Sequence, residues 1–144
     1  MILHKFILIL EDDFRTLSKI LEKLAVLEED QPYDFSLIIL TTYEQVETYI
    51  NSAKKPKIDL VLLDRDCKLG GSFHVLDLER IGPEKVIAIS SVPKYNEEAR
   101  KRGVTRVVPK DYKKLDEFSD AVVGEIQKLL LDMKPKPEDM HRIF

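Results

Sequence analysis

With a single cysteine, Cys67, the chain has no means of closing an internal disulfide, which suits a reducing compartment. Long hydrophobic runs are missing as well. The most apolar stretch, MILHKFILIL at the start, is too short to cross a bilayer and has no small-residue cleavage site. It runs directly into Glu11-Asp12-Asp13. It reads as a first strand, and the chain as soluble and cytoplasmic, with no membrane association. Charge of one sign is not in excess: a net charge of −3 with 34% charged residues gives no bulk attraction to nucleic acid. Repeats and low-complexity tracts are absent too. At 144 residues the chain is one domain's worth, able to bury a core without a disulfide or structural metal.

What is present is a set of unbroken apolar runs. Leu60 to Leu63 has no polar face, as expected of a strand buried on both sides of a sheet, and it stops at Asp64. Similar runs occur at about 5–10, 35–40, 86–89 and 104–108. Between them the apolar residues recur at helical spacing. Leu17, Ile20, Leu21, Leu24 and Leu27 predict a helix over about 14–28. Thr42 with Gln45 forms a capping box for a helix over about 43–52. A short helix is expected at 73–80 after a loop holding Gly70-Gly71. Another is expected at 95–102, closed by Gly103. Leu115, Phe118, Val122, Ile126, Leu129 and Leu130 mark a long last helix. Five alternations of strand and helix predict an α/β domain over 1–132, with a parallel sheet covered on both faces. Residues 133–144 read as a tail.

In open parallel sheets ligands bind outside the carboxyl ends of the strands. The polar residues expected there are Glu11-Asp12-Asp13, Asp64, Ser90 and Lys110. Carboxylates gathered together repel unless a cation or proton intervenes, and Mg²⁺ takes oxygen ligands of this kind. A carboxylate can also act as the nucleophile that accepts a phosphoryl group, whose charge then needs a cation, a lysine and a hydroxyl or amide donor.

These residues together resemble the receiver domain of bacterial response regulators, over about residues 5 to 131. The resemblance implies a flavodoxin-like (CheY-like) doubly wound sheet of order 2-1-3-4-5. It implies Asp64 as phosphoacceptor, with Mg²⁺ held by the acidic group, Asp64 and the main-chain carbonyl of Asp66. Ser90 and Lys110 would contact the phosphoryl oxygens. A histidine kinase or phosphotransfer protein would be the donor in a two-component phosphorelay. The fourth helix, fifth strand and last helix would form a face for a downstream protein or for a second copy of the chain. The dozen residues after the last helix are too few for an output domain, so the receiver is expected to stand alone, as an acceptor rather than a turnover enzyme.

Two registers remain for the metal pair: strand length favours Glu11 with Asp12, while the spacing to Leu17 favours Asp12 with Asp13. The chain departs from the family pattern in three places. Cys67-Lys68-Leu69-Gly70-Gly71 lacks the usual proline, Lys110 follows a proline instead of preceding one, and Val107 stands where an aromatic is common. The missing proline and aromatic motivate a rival reading, a non-phosphorylated pseudo-receiver that serves as an interaction module. Asp64-Arg65-Asp66 also looks like the D-x-D of haloacid-dehalogenase-type phosphatases, but that motif normally ends the first strand. His74 and His141 show no ligand pattern, and the basic residues between Lys94 and Lys114 read as a solvated face rather than a nucleic-acid site.

Overall fold

A computed structural model describes residues 2–52, 57–66 and 81–133. Five parallel strands form one sheet: β1 (Leu3–Leu10), β2 (Tyr33–Leu40), β3 (Leu60–Asp64), β4 (Val86–Ser90) and β5 (Arg106–Pro109). Their order is β2-β1-β3-β4-β5, the flavodoxin-like order. The described helices are α1 (Phe14–Asp30), α2 (Tyr43–Ser52), α3 (Pro93–Lys101) and α4 (Leu115–Asp132). Several sequence expectations fall outside the described residues: the turn at 54–56, Cys67, the Gly70-Gly71 loop, the helix at 73–80 with His74, and the tail from 134 onward with His141.

The alternation of strand side chains divides the core in two. Ile7 and Ile9 of β1, Leu60 and Leu62 of β3, and Ile87 and Ile89 of β4 pack beneath α1 and α4. Leu8, Leu10, Val61, Leu63, Val86 and Ala88 project to the other face, where Val46 and Ile50 of α2 and Ala99 of α3 cover them. Both faces of β3 and β4 are therefore buried, which is why those sequences show no polar alternation. Side by side on their face, α1 and α4 are joined across the solvent edge by Lys19–Asp116 at 3.0 Å and Lys23–Asp120 at 2.7 Å.

Element ends differ from the sequence expectation where caps intervene. Asp13 caps α1, accepting from the Thr16 amide. The capping box at α2 forms as expected: Gln45 N–H donates to Thr42 Oγ1, and Thr42 N–H to Gln45 Oε1, each at 3.2 Å. α3 begins at Pro93 instead of Tyr95, because a proline at the first helical position gives up no hydrogen bond. β5 begins at Arg106, not Val104. The Val104 amide is committed to Ala99 O and the Gly103 amide to Arg100 O, a Schellman closure. Gly103 carries the positive φ of 95° that this closure needs. β1 and β2 each start two residues earlier than expected, paired Leu3 to Tyr33, where Tyr33 and Phe35 stack at 5.6 Å.

Candidate functional site

Parallel register carries the chemistry to one edge. Leu10 pairs with Leu63, Asp64 with Ile89 and Ser90 with Pro109. The next residues, Glu11 and Lys110, therefore leave the sheet beside Asp64 and Ser90. The ladder runs one residue beyond the strands: Glu11 N–H donates to Leu40 O, Arg65 N–H to Ile89 O and Lys110 N–H to Ser90 O. Side-chain parity then sorts the polar residues. Glu11, Asp64 and Lys110 continue the rows of Ile7 and Ile9, of Leu60 and Leu62, and of Val108, which face α1 and α4. Ser90 continues the row of Val86 and Ala88, which faces α3.

On the first side Lys110 Nζ donates to Glu11 Oε1 at 2.8 Å and to Asp64 Oδ2 at 3.4 Å, with all three side chains sealed from solvent. Ligand oxygens of Glu11, Asp12 and Asp64 lie within 4.8 Å of one another. Of the two registers left open by the sequence, the gathered group contains Glu11 and Asp12. Asp13 is instead the N-cap of α1, its carboxylate bonded to the amide and hydroxyl of Thr16. Burial pushes the Glu11 carboxyl up to about 8, with Asp64 beside it adding to the rise and Lys110 opposing it. Asp64 is also raised, by burial above all, against the lowering pull of Glu11 and Lys110. Burial acts to lower Lys110, but the two carboxylates outweigh it and hold the ammonium above its usual range. Both shifts favour retention of a proton by the Glu11–Asp64 pair, while Lys110 stays charged.

The second side is centred on Asp66. Its own amide donates to Asp64 Oδ1 at 2.8 Å. Its carboxylate accepts from Ser90 Oγ at 2.5 Å, from the Ser91 amide at 2.8 Å and from Tyr112 Oη at 3.2 Å. Although burial acts against ionisation, the Ser90 and Ser91 bonds hold this carboxyl below its ordinary range. Ser90 Oγ in turn accepts from Val92 N–H at 2.9 Å. The Tyr112 ring lies under Lys110 Nζ at 4.8 Å and so touches both sides. Arg65 is buried and leads away to α3, with Nη2 3.1 Å from Glu98 and its guanidinium 4.8 Å from the Tyr95 ring.

Sequence reasoning named Asp64, Glu11, Asp12 and Lys110, and they converge. It placed Ser90 at the same edge but did not foresee that Asp66 takes its hydroxyl. It also missed Ser91, Arg65 and Tyr112. A tyrosine two residues past the strand-end lysine was the available signal for Tyr112, and a charged residue between two aspartates the signal for Arg65. Val107 is half-buried against the α2–α3 side of the core.

An oxygen-only donor set with two buried carboxylates and a retained proton fits a hard divalent cation, because such an ion neutralises charge that Lys110 alone leaves unbalanced. No helix among the described residues is long and apolar enough to cross a membrane.

No protein-family model matches the sequence, and no curated protein is similar to it. Solved structures are similar in fold. The phosphorylated cyanobacterial phytochrome response regulator RcpA aligns with a TM-score of 0.71 at 19% identity, over 94% of this chain and 99% of its own. A receiver domain from Rhodospirillum rubrum aligns with a TM-score of 0.67 at 16% identity, over 90% of this chain and 96% of its own. The Mn²⁺-bound form of the response regulator Rcp1 gives 0.65 at 19%, over 92% of this chain and 99% of its own. With its strand order, its two-sided core and its acidic carboxyl edge, the chain has the fold of a response regulator receiver domain.

Proposed function

We propose that the protein is a phosphoryl-accepting receiver of a two-component system, with Asp64 as the acceptor. The observation that carries this reading is the Lys110 ammonium bonded at once to Glu11 and Asp64 at the carboxyl edge of a receiver fold. A carboxylate held at that edge is a nucleophile, and the buried lysine counters the charge that arrives with a phosphoryl group. An Asp64 oxygen attacks the phosphorus of a phosphohistidine on a kinase or phosphotransfer protein. The P–N bond breaks, and the imidazole leaves with its electron pair. Glu11, Asp12, Asp64 and the Asp66 carbonyl would hold Mg²⁺, which supplies charge neutralisation at the transferring oxygens. Arg65, reaching α3 through Glu98 and Tyr95, ties the acceptor loop to the face formed by α3, β5 and α4. That face is where a downstream protein or a second copy would read the state.

A second reading, the pseudo-receiver, is favoured by one observation: the Ser90 hydroxyl is already engaged by Asp66. Acetyl phosphate with Mg²⁺ separates the two. A working receiver gains one phosphoryl group, detectable by intact mass, and Asp64→Asn abolishes the gain without unfolding the domain. Persistent labelling of the mutant would move the acceptor elsewhere, with Asp66 the first candidate, and no labelling of the native chain would leave the pseudo-receiver. Asp12→Ala is expected to weaken Mn²⁺ or Mg²⁺ binding measured by paramagnetic relaxation or calorimetry, while unchanged affinity would remove Asp12 from the ligand set.

A further inference from the structure

The three groups that grip Asp66 form an anion seat. A hydroxyl, a main-chain amide and a phenol converge on two carboxylate oxygens at 2.5, 2.8 and 3.2 Å. Charge-assisted bonds of this kind are about twice as strong as neutral ones. The seat lies at the end of β4, and the Asp66 amide ties its occupant's main chain to Asp64 Oδ1. Ser90 has one hydroxyl proton. With that proton donated to Asp66 and its oxygen accepting from Val92 N–H, it cannot also donate to a phosphoryl group on Asp64. The Ser91 amide is limited in the same way.

We propose that the Asp66 carboxylate is an internal anion that occupies Ser90 and Ser91, the donors a phosphoryl group on Asp64 would need, with Tyr112 helping to hold it there, so that Asp66 must leave all three for the modified state to form. This rests on Asp64 being the acceptor. Resting and modified states then differ by an exchange of anions at one seat. Tyr112 loses its partner in the exchange. Its ring lies under Lys110 Nζ and its side chain is half exposed, so the exchange is visible at the surface. The feature that elsewhere favours a pseudo-receiver becomes a threshold that the phosphodonor must overcome.

Beryllofluoride with Mg²⁺, a non-covalent phosphoryl analogue, tests this when titrated into the full chain by ¹⁹F NMR and calorimetry. Asp66→Ala empties the seat and is expected to bind the analogue about tenfold or more tighter than the native chain, the effect of removing one strong competing contact. Asp66→Asn keeps an acceptor oxygen without the charge, so it should fall between the two and serves if the alanine variant folds poorly. Tyr112→Phe leaves every charge in place and loosens the grip, giving a gain of about twofold to threefold. Through-space repulsion by Asp66 would leave that variant unchanged, which would overturn the seat. Native affinity equal to or above that of both Asp66 variants would overturn it too, with the receiver reading intact. If neither the native chain nor any variant binds, while the Ser91 amide resonance shifts in Asp66→Ala, the acceptor reading itself fails and the proposal falls with it.

Discussion

On the α1 side of the carboxyl edge, Glu11, Asp64 and Lys110 meet with their side chains shut off from solvent; on the α3 side, Asp66 is only half-buried and its partner Tyr112 is 49% exposed. Both sides hold carboxylates, yet the carboxylates respond in opposite directions. Within the sealed side, desolvation dominates and the Glu11–Asp64 pair keeps a proton. In the half-open side, three donors reach one carboxylate and keep it ionised. The number of donors and the access of water decide the charge state, not the residue type. The sealed side is thus suited to take up a cation in exchange for a proton, and the open side to exchange one anion for another.

The strongest way to break this contrast is Lys110→Met. Removing the buried ammonium leaves the sealed Glu11–Asp64 pair without its cation, and a loss of roughly 3 to 5 kcal/mol is expected in urea unfolding at neutral pH. The loss should shrink in acid, where both carboxyls are neutral. A cost below about 1 kcal/mol would mean that water reaches the pair and that its burial is unimportant.

A smaller effect sharpens the charge assignment. Between the ordinary carboxyl value of 4.5 and about 8, folded Glu11 holds a proton that the unfolded chain has released. Stability is therefore greatest at the acid end of that window and falls as pH rises through it, by no more than about 1.4 kcal/mol per pH unit from this one group. Asp64 is shifted in the same direction and adds to the slope. Asp66 is shifted the other way, but its effect lies below 3.8 and outside the window. Added Mg²⁺ is expected to flatten the profile by displacing the Glu11 proton. Urea midpoints with and without the ion check it, and a profile that rises toward pH 8 without metal would reverse the assignment.

The smallest effect belongs to the open side. Tyr112→Phe removes one partly solvated hydrogen bond, and a stability change of at most about 1 kcal/mol is expected. A larger loss would make Tyr112 a structural post rather than a partner of the Asp66 seat.

How much of this was legible beforehand differs by residue. The apolar runs ending at Leu10, Leu63, Ile89 and Val108, and the helical stripes between them, were plain because burial on both faces erases alternation in a way one window of sequence records. Asp64, Ser90 and Lys110 were legible as strand-end residues for the same reason. The ends of α3 and β5 were not, since Pro93 opens a helix by lacking an amide proton to satisfy and Val104 is held by a cap hydrogen bond, neither of which hydropathy records.

Local periodicity by itself determined that strands and helices alternate and that acids, a serine and a lysine finish the strands. It did so because hydrophobic pattern and chain direction are local properties. Only the tertiary structure decided that Glu11 and Asp12 join Asp64 while Asp13 caps α1, that Lys110 shares a face with them, and that Asp66 crosses to Ser90, Ser91 and Tyr112. Those outcomes depend on register between strands distant along the chain and on the parity with which each side chain leaves the sheet. Neither quantity exists until the strands have paired.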